Sequence, residues 1–250
     1  AQRRRRFSPG DAMAHTRTDA QTLAGCIDHT LLRADAVARD IETLCAEARR
    51  WGFFGTCVHS GWVGLARGLL SGTAVRVVSV AGFPLGASCT AAKCAETVLA
   101  LDAGADEIDV VLNIGRLKQG DDCYVAREIA DIVRASGGHT VKVILETGLL
   151  SRGEKIRACR LAVDGGAGFV KTSTGFGPGG ATVADVALLR ACTGPAAGVK
   201  ASGGIRDAAT ALALIEAGAS RLGTSSGAAI VHGAAIVQGA ARGRGRPARP

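Results

Sequence analysis

The chain has 250 residues, of which 47% are hydrophobic, 4% aromatic and 35 are glycine. A core of Val, Ile, Leu and Ala at this length suits one α/β domain with a covered parallel sheet. The formal charge of +8 suggests a nucleic-acid partner, but residues 1–20 carry +3 of it and residues 240–250 carry +4, so the body between them is near neutral.

In chain order, the first segment is the basic tail at residues 1–20, with Arg3, Arg4, Arg5, Arg6 and Arg17 against Asp11 and Asp19. No apolar stretch follows those arginines, so it does not read as a secretory signal. The segment predicts a solvated, disordered end, and it has almost no aromatics to stack on bases. The barrel body is expected over 21–239, and a second basic, disordered tail over 240–250.

Within the body, short β-like runs recur at Cys26–Leu32, Gly55–His59, Val75–Val80, Glu107–Leu112, Thr140–Glu146, Gly168–Thr172, Gly198–Ser202 and Arg221–Thr224. Helix-like stretches at 3.6-residue spacing lie between them. Asp40–Trp51 carries Ile41, Leu44, Cys45 and Ala48 on one face, and Ala91–Ala103, Val125–Ala135 and Ala208–Ala217 behave likewise. Gly104, Gly165, Gly166 and Gly218 follow helical segments, where left-handed caps favour glycine. Eight β-then-α units predict a single closed (β/α)8 TIM barrel. A doubly wound open sheet is the alternative, but its phosphate turn belongs after the first strand, and here Asp28-His-Thr-Leu-Leu follows instead.

No apolar run reaches the roughly 18 to 20 residues that span a bilayer. The eight cysteines form no C-x-x-C pair and read as free thiols in a reducing cytoplasm. The five histidines show no H-x-H or H-E-x-x-H spacing, so neither a catalytic metal nor another cofactor is expected.

In a barrel, the C-terminal strand ends converge on one mouth. The polar residues there are Asp28, Cys57, Asp109, Asn113, Glu146, Lys171 and Lys200, an acid-plus-amine set. Lys171 and Lys200 fall on neighbouring strands, which lie about 4.8 Å apart. An ordinary lysine, with a pKa of about 10.4, holds little neutral amine at pH 7. Burial and a second ammonium both lower that value and free a carbonyl-attacking amine. Either lysine fits that role on these grounds. Asp109, in Ala105-Asp-Glu-Ile-Asp109-Val-Val-Leu-Asn113, shares a strand face with Glu107 and needs a partner such as a lysine or a substrate hydroxyl. Ser202-Gly203-Gly204 and Gly223-Thr-Ser225-Ser226-Gly227 each end a strand and open a helix, a phosphate-binding type of turn. The glycine-rich loop Thr174–Gly180 lacks the trailing acid of a nucleotide fingerprint.

These segments resemble the deoxyribose-phosphate aldolase family of class I aldolases. The likeness runs from about Cys26 to Val231. It rests on Ile27-Asp-His-Thr-Leu-Leu32, Val80-Ala-Gly-Phe-Pro-Leu-Gly86, Glu107-Ile-Asp-Val-Val-Leu-Asn113, Val143-Ile-Leu-Glu-Thr147, Phe169-Val-Lys-Thr-Ser-Thr-Gly-Phe176, Val199-Lys-Ala-Ser-Gly-Gly-Ile-Arg206 and Leu222-Gly-Thr-Ser-Ser226. The resemblance implies Lys171 as the Schiff-base lysine, Lys200 as the group perturbing its pKa, and Asp109 in proton transfer. It maps phosphate contacts onto Gly175, Gly203, Gly204, Ser225 and Ser226, and puts Asp28 and Cys57 on active-site positions. The implied reaction is reversible cleavage of 2-deoxy-D-ribose 5-phosphate to glyceraldehyde 3-phosphate and acetaldehyde. The expected partners are a sugar phosphate and a second copy of the chain, in a cytoplasmic homodimer, with no nucleic acid or membrane. The arginine-rich tails depart from the family pattern. Another phosphate-binding barrel enzyme, or a basic-tailed binder on a barrel scaffold, are the competing readings.

Overall fold

The computed structural model describes residues 20–243, and both outer basic segments, 1–19 and 244–250, lie outside the described residues. The elements run α1 (Ala20–Ala24), β1 (Ile27–Leu31), α2 (Ala38–Trp51), β2 (Gly55–Val58), α3 (Val63–Leu69), β3 (Arg76–Ala81) and α4 (Thr90–Asp102). They continue with β4 (Glu107–Val111), α5 (Ile114–Lys118), α6 (Asp122–Ala135), β5 (Thr140–Ile144), α7 (Arg152–Asp164), β6 (Phe169–Lys171) and α8 (Val183–Thr193). The last are β7 (Gly198–Ser202), α9 (Ala208–Glu216), β8 (Arg221–Thr224) and α10 (Gly227–Gly243). The strands pair in parallel in the order β1 to β8, and β8 closes on β1. This is the (β/α)8 barrel read from the sequence, and the closure excludes the doubly wound sheet. Residues 240–243, expected in the tail, belong to α10. Among the described residues, no helix is long and apolar enough to cross a membrane.

The helices form where their apolar residues fall on one face. Ile41, Leu44, Cys45 and Ala48 are the buried residues of α2, which ends at Gly52 with a left-handed φ of 66°. Helix α6 begins at Asp122, three residues before the periodic stretch at Val125, because the Asp121 carboxylate accepts the Tyr124 backbone N–H at 3.2 Å. Gly165, expected to be a left-handed cap, keeps a right-handed φ of −75°, while Gly166 takes the positive angle. The reason for glycine at 165 is space, because a Cβ there meets Ile129 Cγ2 at 2.6 Å.

Strand alternation sorts the barrel into two interiors. Outward residues such as Ile108, Val110, Val141, Val143, Val170, Val199 and Leu222 pack with the helices in the main apolar core. The inward face carries a connected charged cluster. Asp28, Glu107, Asp109, Lys142, Lys171, Lys200 and Arg221 are all buried and bonded to one another. Leu32, Cys57, Val78 and Val80, with Phe83 against them, form a small apolar wall apart from the main core.

Candidate active site

Register brings the charged residues together. Lys171 on β6 is the cross-strand partner of Lys200 on β7, and Asp109 on β4 that of Lys142 on β5. The Asp109 carboxylate accepts three ammonium groups. Its Oδ1 accepts Lys142 Nζ at 2.7 Å, and its Oδ2 accepts Lys171 Nζ at 2.8 Å and Lys200 Nζ at 2.7 Å. Burial alone would raise the Asp109 carboxyl, but the three lysines hold it well below the usual carboxylate range.

The two lysines differ in their partners. Lys200 also donates to Asp28 Oδ2 at 2.5 Å, so it touches two carboxylates, while among the described residues Lys171 has only a shared oxygen of Asp109. For Lys200, burial works downward, but Asp109 and Asp28 outweigh it and push its pKa up. For Lys171, burial wins over the attraction of Asp109 and is reinforced by Lys200, so its pKa falls. Strand position alone left the two lysines equivalent, and only the family resemblance separated them. Their partners separate them, and Lys171 is the one that gives up its proton more readily.

The cluster continues beneath the lysines. Arg221 Nη1 donates to Asp28 Oδ1 at 3.0 Å and to Glu107 Oε2 at 3.2 Å, and Lys142 Nζ reaches Glu107 Oε2 at 2.7 Å. Sequence reading missed Lys142 and Arg221, and gave Glu107 no partner. The signal that singled out Asp109, a charge inside an apolar strand, was present in Thr140–Ile144 as well.

Above the lysines opens a cavity of about 340 Å³. Of the expected residues, Lys171, Gly175, Gly203, Gly204 and Ser225 line it, joined by Arg33, Phe176 and Arg206. Gly203, with φ at 92°, lets two loops approach, since a Cβ there would lie 3.1 Å from Gly180 Cα and 3.3 Å from Ser173 Cβ. Lys200 and Asp109 are fully buried under the floor.

Asp28, Cys57 and Ser226 are not in the lining, although they were expected among the substrate contacts. Asp28 lies deeper because Lys200 and Arg221 occupy both its oxygens. The Cys57 thiol is buried in the apolar wall, and burial raises its pKa to about 11. The Ser226 backbone N–H donates to Thr224 Oγ1 at 2.9 Å, at the turn into α10. Of the two serine-glycine turns, only the second opens directly into a helix. After Gly204 the chain runs on to Asp207, whose carboxylate caps α9 by accepting Thr210 N–H at 2.8 Å. Asn113 is likewise a cap, accepting Arg116 N–H at 3.2 Å.

Glu146 has a further structural role. It follows β5 with a left-handed φ of 55°, unusual for a residue with a side chain. Its buried carboxylate accepts the backbone N–H and the hydroxyl of Thr174, and Thr174 Oγ1 in turn accepts Phe176 N–H at 3.0 Å. This clamp shapes the loop that carries Gly175. At the rim, Phe176 packs edge-on against Phe83, and Phe83 against His59.

Fold and site together define a barrel enzyme with a buried lysine amine lining a glycine-rich cavity. A family model described as DeoC/LacD family aldolase matches residues 22–245, and the chain belongs to that family. It is 56% identical over 205 residues to the deoxyribose-phosphate aldolase of Brevibacillus brevis, covering 82% of this chain and 93% of that one. The enzyme of that name from Alkaliphilus oremlandii is 54% identical over 211 residues, 84% of this chain and 95% of its own. Among solved structures, the tetrameric deoxyribose phosphate aldolase of Aeropyrum pernix aligns with a TM-score of 0.80 at 36% identity, over 86% of this chain and 91% of that one.

Proposed function

We propose that the chain is a deoxyribose-phosphate aldolase that cleaves 2-deoxy-D-ribose 5-phosphate reversibly through an imine on Lys171. The observation that carries this reading is the unequal pairing of the two lysines. Lys171 lines the cavity with a single shared carboxylate oxygen, while Lys200 is buried beneath with two carboxylates.

The neutral Lys171 amine attacks C1 of the open-chain sugar, and the carbinolamine loses water to give an iminium ion. A base takes the proton of the C3 hydroxyl. The C2–C3 bond then breaks, and its electron pair moves into the iminium to leave an enamine. Glyceraldehyde 3-phosphate departs, the enamine is protonated at C2, and water releases acetaldehyde and the free amine. We assign the proton traffic to Asp109 and Lys200. Asp109 Oδ2 is bonded to both amines, so a proton can pass between them across one oxygen.

The phosphate fits the end of the cavity lined by Gly175, Gly203, Gly204 and Ser225, with Ser226 behind the turn. Backbone N–H groups and hydroxyls there are the donors an anion needs. Purified enzyme should release acetaldehyde from 2-deoxy-D-ribose 5-phosphate in a coupled dehydrogenase assay. No cleavage of that sugar, with cleavage of another sugar phosphate, would overturn the substrate.

We further propose a homodimer, since two-fold assemblies are the commonest closed oligomers. A light-scattering mass of one or four chains would contradict it. The cysteines of the chain are free thiols, which suits a reducing, cytoplasmic location.

A further inference from the structure

The buried charges form a closed circuit. Arg221 bonds Glu107, Glu107 bonds Lys142, Lys142 bonds Asp109, Asp109 bonds Lys200, Lys200 bonds Asp28, and Asp28 returns to Arg221. Cations and carboxylates alternate around the ring, so the ring itself is neutral. Lys171 hangs from it by Asp109 Oδ2. With its proton, the whole cluster holds one positive charge in excess; without it, the cluster balances. A buried unbalanced charge is costly, and the group with fewest partners is the one that gives way.

We infer that Arg221 and Glu107, at the end of the barrel remote from the cavity, are positioning residues that close this ring and so leave Lys171 as its surplus cation. The inference rests on Lys171 being the imine-forming lysine. Arg221 is held for such a task. Its guanidinium lies over the Phe54 ring at 3.2 Å from the centroid and near Phe169, and it is buried with both acids. Gly223 adds room for the ring, because a Cβ there would sit 3.0 Å from Lys200 Cε.

Other charged or titratable groups also face Lys171. Asp109 on β4 and Lys200 on β7 are nearest, with the Cys57 thiol on β2. Lys142 on β5 and Asp28 on β1 follow through the ring, Arg33 and Arg206 line the cavity above, and Glu146 is tied to Thr174. None of these changes in the test below, so the charge count alone varies.

The test traps the imine with acetaldehyde and cyanoborohydride across a pH series and measures the adduct on Lys171 by peptide mass. Glu107→Gln removes a negative charge, so the acid limb of trapping should move to lower pH by about one unit, the ordinary spread that protein environments impose. Arg221→Gln removes a positive charge, and the limb should move up by a similar amount. The Glu107→Gln/Arg221→Gln pair restores the count, and its limb should return to that of the wild type. Arg221→Lys keeps the charge but loses the guanidinium fork, and should also keep the wild-type limb.

A ring that merely packed the barrel would move both single variants the same way or not at all, and that result overturns the inference. If Arg221→Gln does not fold, Glu107→Gln and the double variant decide, and a double variant whose limb stays with Glu107→Gln overturns it. If the wild type gives no adduct on Lys171, the imine reading falls and takes this inference with it. An adduct on Lys171 whose limb ignores both variants leaves the reading standing and removes only the ring.

Discussion

Lys171 and Lys200 occupy matched positions on neighbouring strands, and their chemistry diverges because of one further carboxylate. Asp28 bonds Lys200 and does not reach Lys171. Removing Lys200 would therefore have two effects. Asp28 and Asp109 would each lose a partner inside the barrel, which costs about 3–5 kcal/mol for a broken buried pair. The cluster would also lose a cation, so Lys171 would hold its proton to higher pH. Lys200→Met is expected to unfold at lower urea and to shift the acid limb of the cleavage rate upward. A variant with normal stability and an unmoved limb would mean that Lys200 does not act on Lys171.

At the scale of elements, the loop after β6 depends on the end of β5. Glu146 turns left-handed there, and its carboxylate holds both the backbone and the hydroxyl of Thr174. Thr174→Val keeps the shape and deletes the hydroxyl, leaving a buried carboxylate short of a donor. The expected loss is about 1.5–3 kcal/mol, the range for a hydrogen bond to a charged group. Because Gly175 lies next in the loop, KM for the phosphorylated sugar should rise more than kcat falls. Steady-state kinetics with phosphorylated and unphosphorylated deoxyribose would check this, and an equal rise in KM for both would contradict it.

The strands were legible because each is a short apolar run closed by glycine or a polar turn, and their ends moved by only a residue or two. The strand expected over Thr140–Glu146 stops at Ile144, since Glu146 takes an angle that local propensity disfavours. Lys171, Lys200 and Asp109 stood out as charges inside such runs. The bond from Lys200 to Asp28 spans 172 positions and depends on barrel closure, so the family resemblance separated the lysines but the physical cause of their difference could not be read from the sequence. The same distance hid Arg221, which looks in the chain like an ordinary polar strand start.

For the whole molecule, a barrel filled with charge ties stability to pH. Asp28 and Asp109 have folded pKa values below their ordinary 3.8, so their contribution is complete above that value and is lost as pH falls through the folded ones. Lys200 has a folded pKa above 10.5, so its contribution is complete below 10.5 and lost only as pH rises through the raised value. Urea unfolding followed by circular dichroism should show a decline beginning below about pH 4, and a gain as pH rises from the lowered folded value of Lys171 toward its ordinary 10.5. Asp109→Asn should flatten part of that acid decline, and an unchanged decline would place the acid sensitivity elsewhere.

We propose that Lys171, and not Lys200, bonds the substrate. Borohydride reduction in the presence of acetaldehyde, followed by peptide mapping, measures this directly. One ethyl group is expected on the peptide containing Lys171, with its loss in Lys171→Ala. A stable adduct on Lys200, or none on either lysine in folded enzyme, would contradict it.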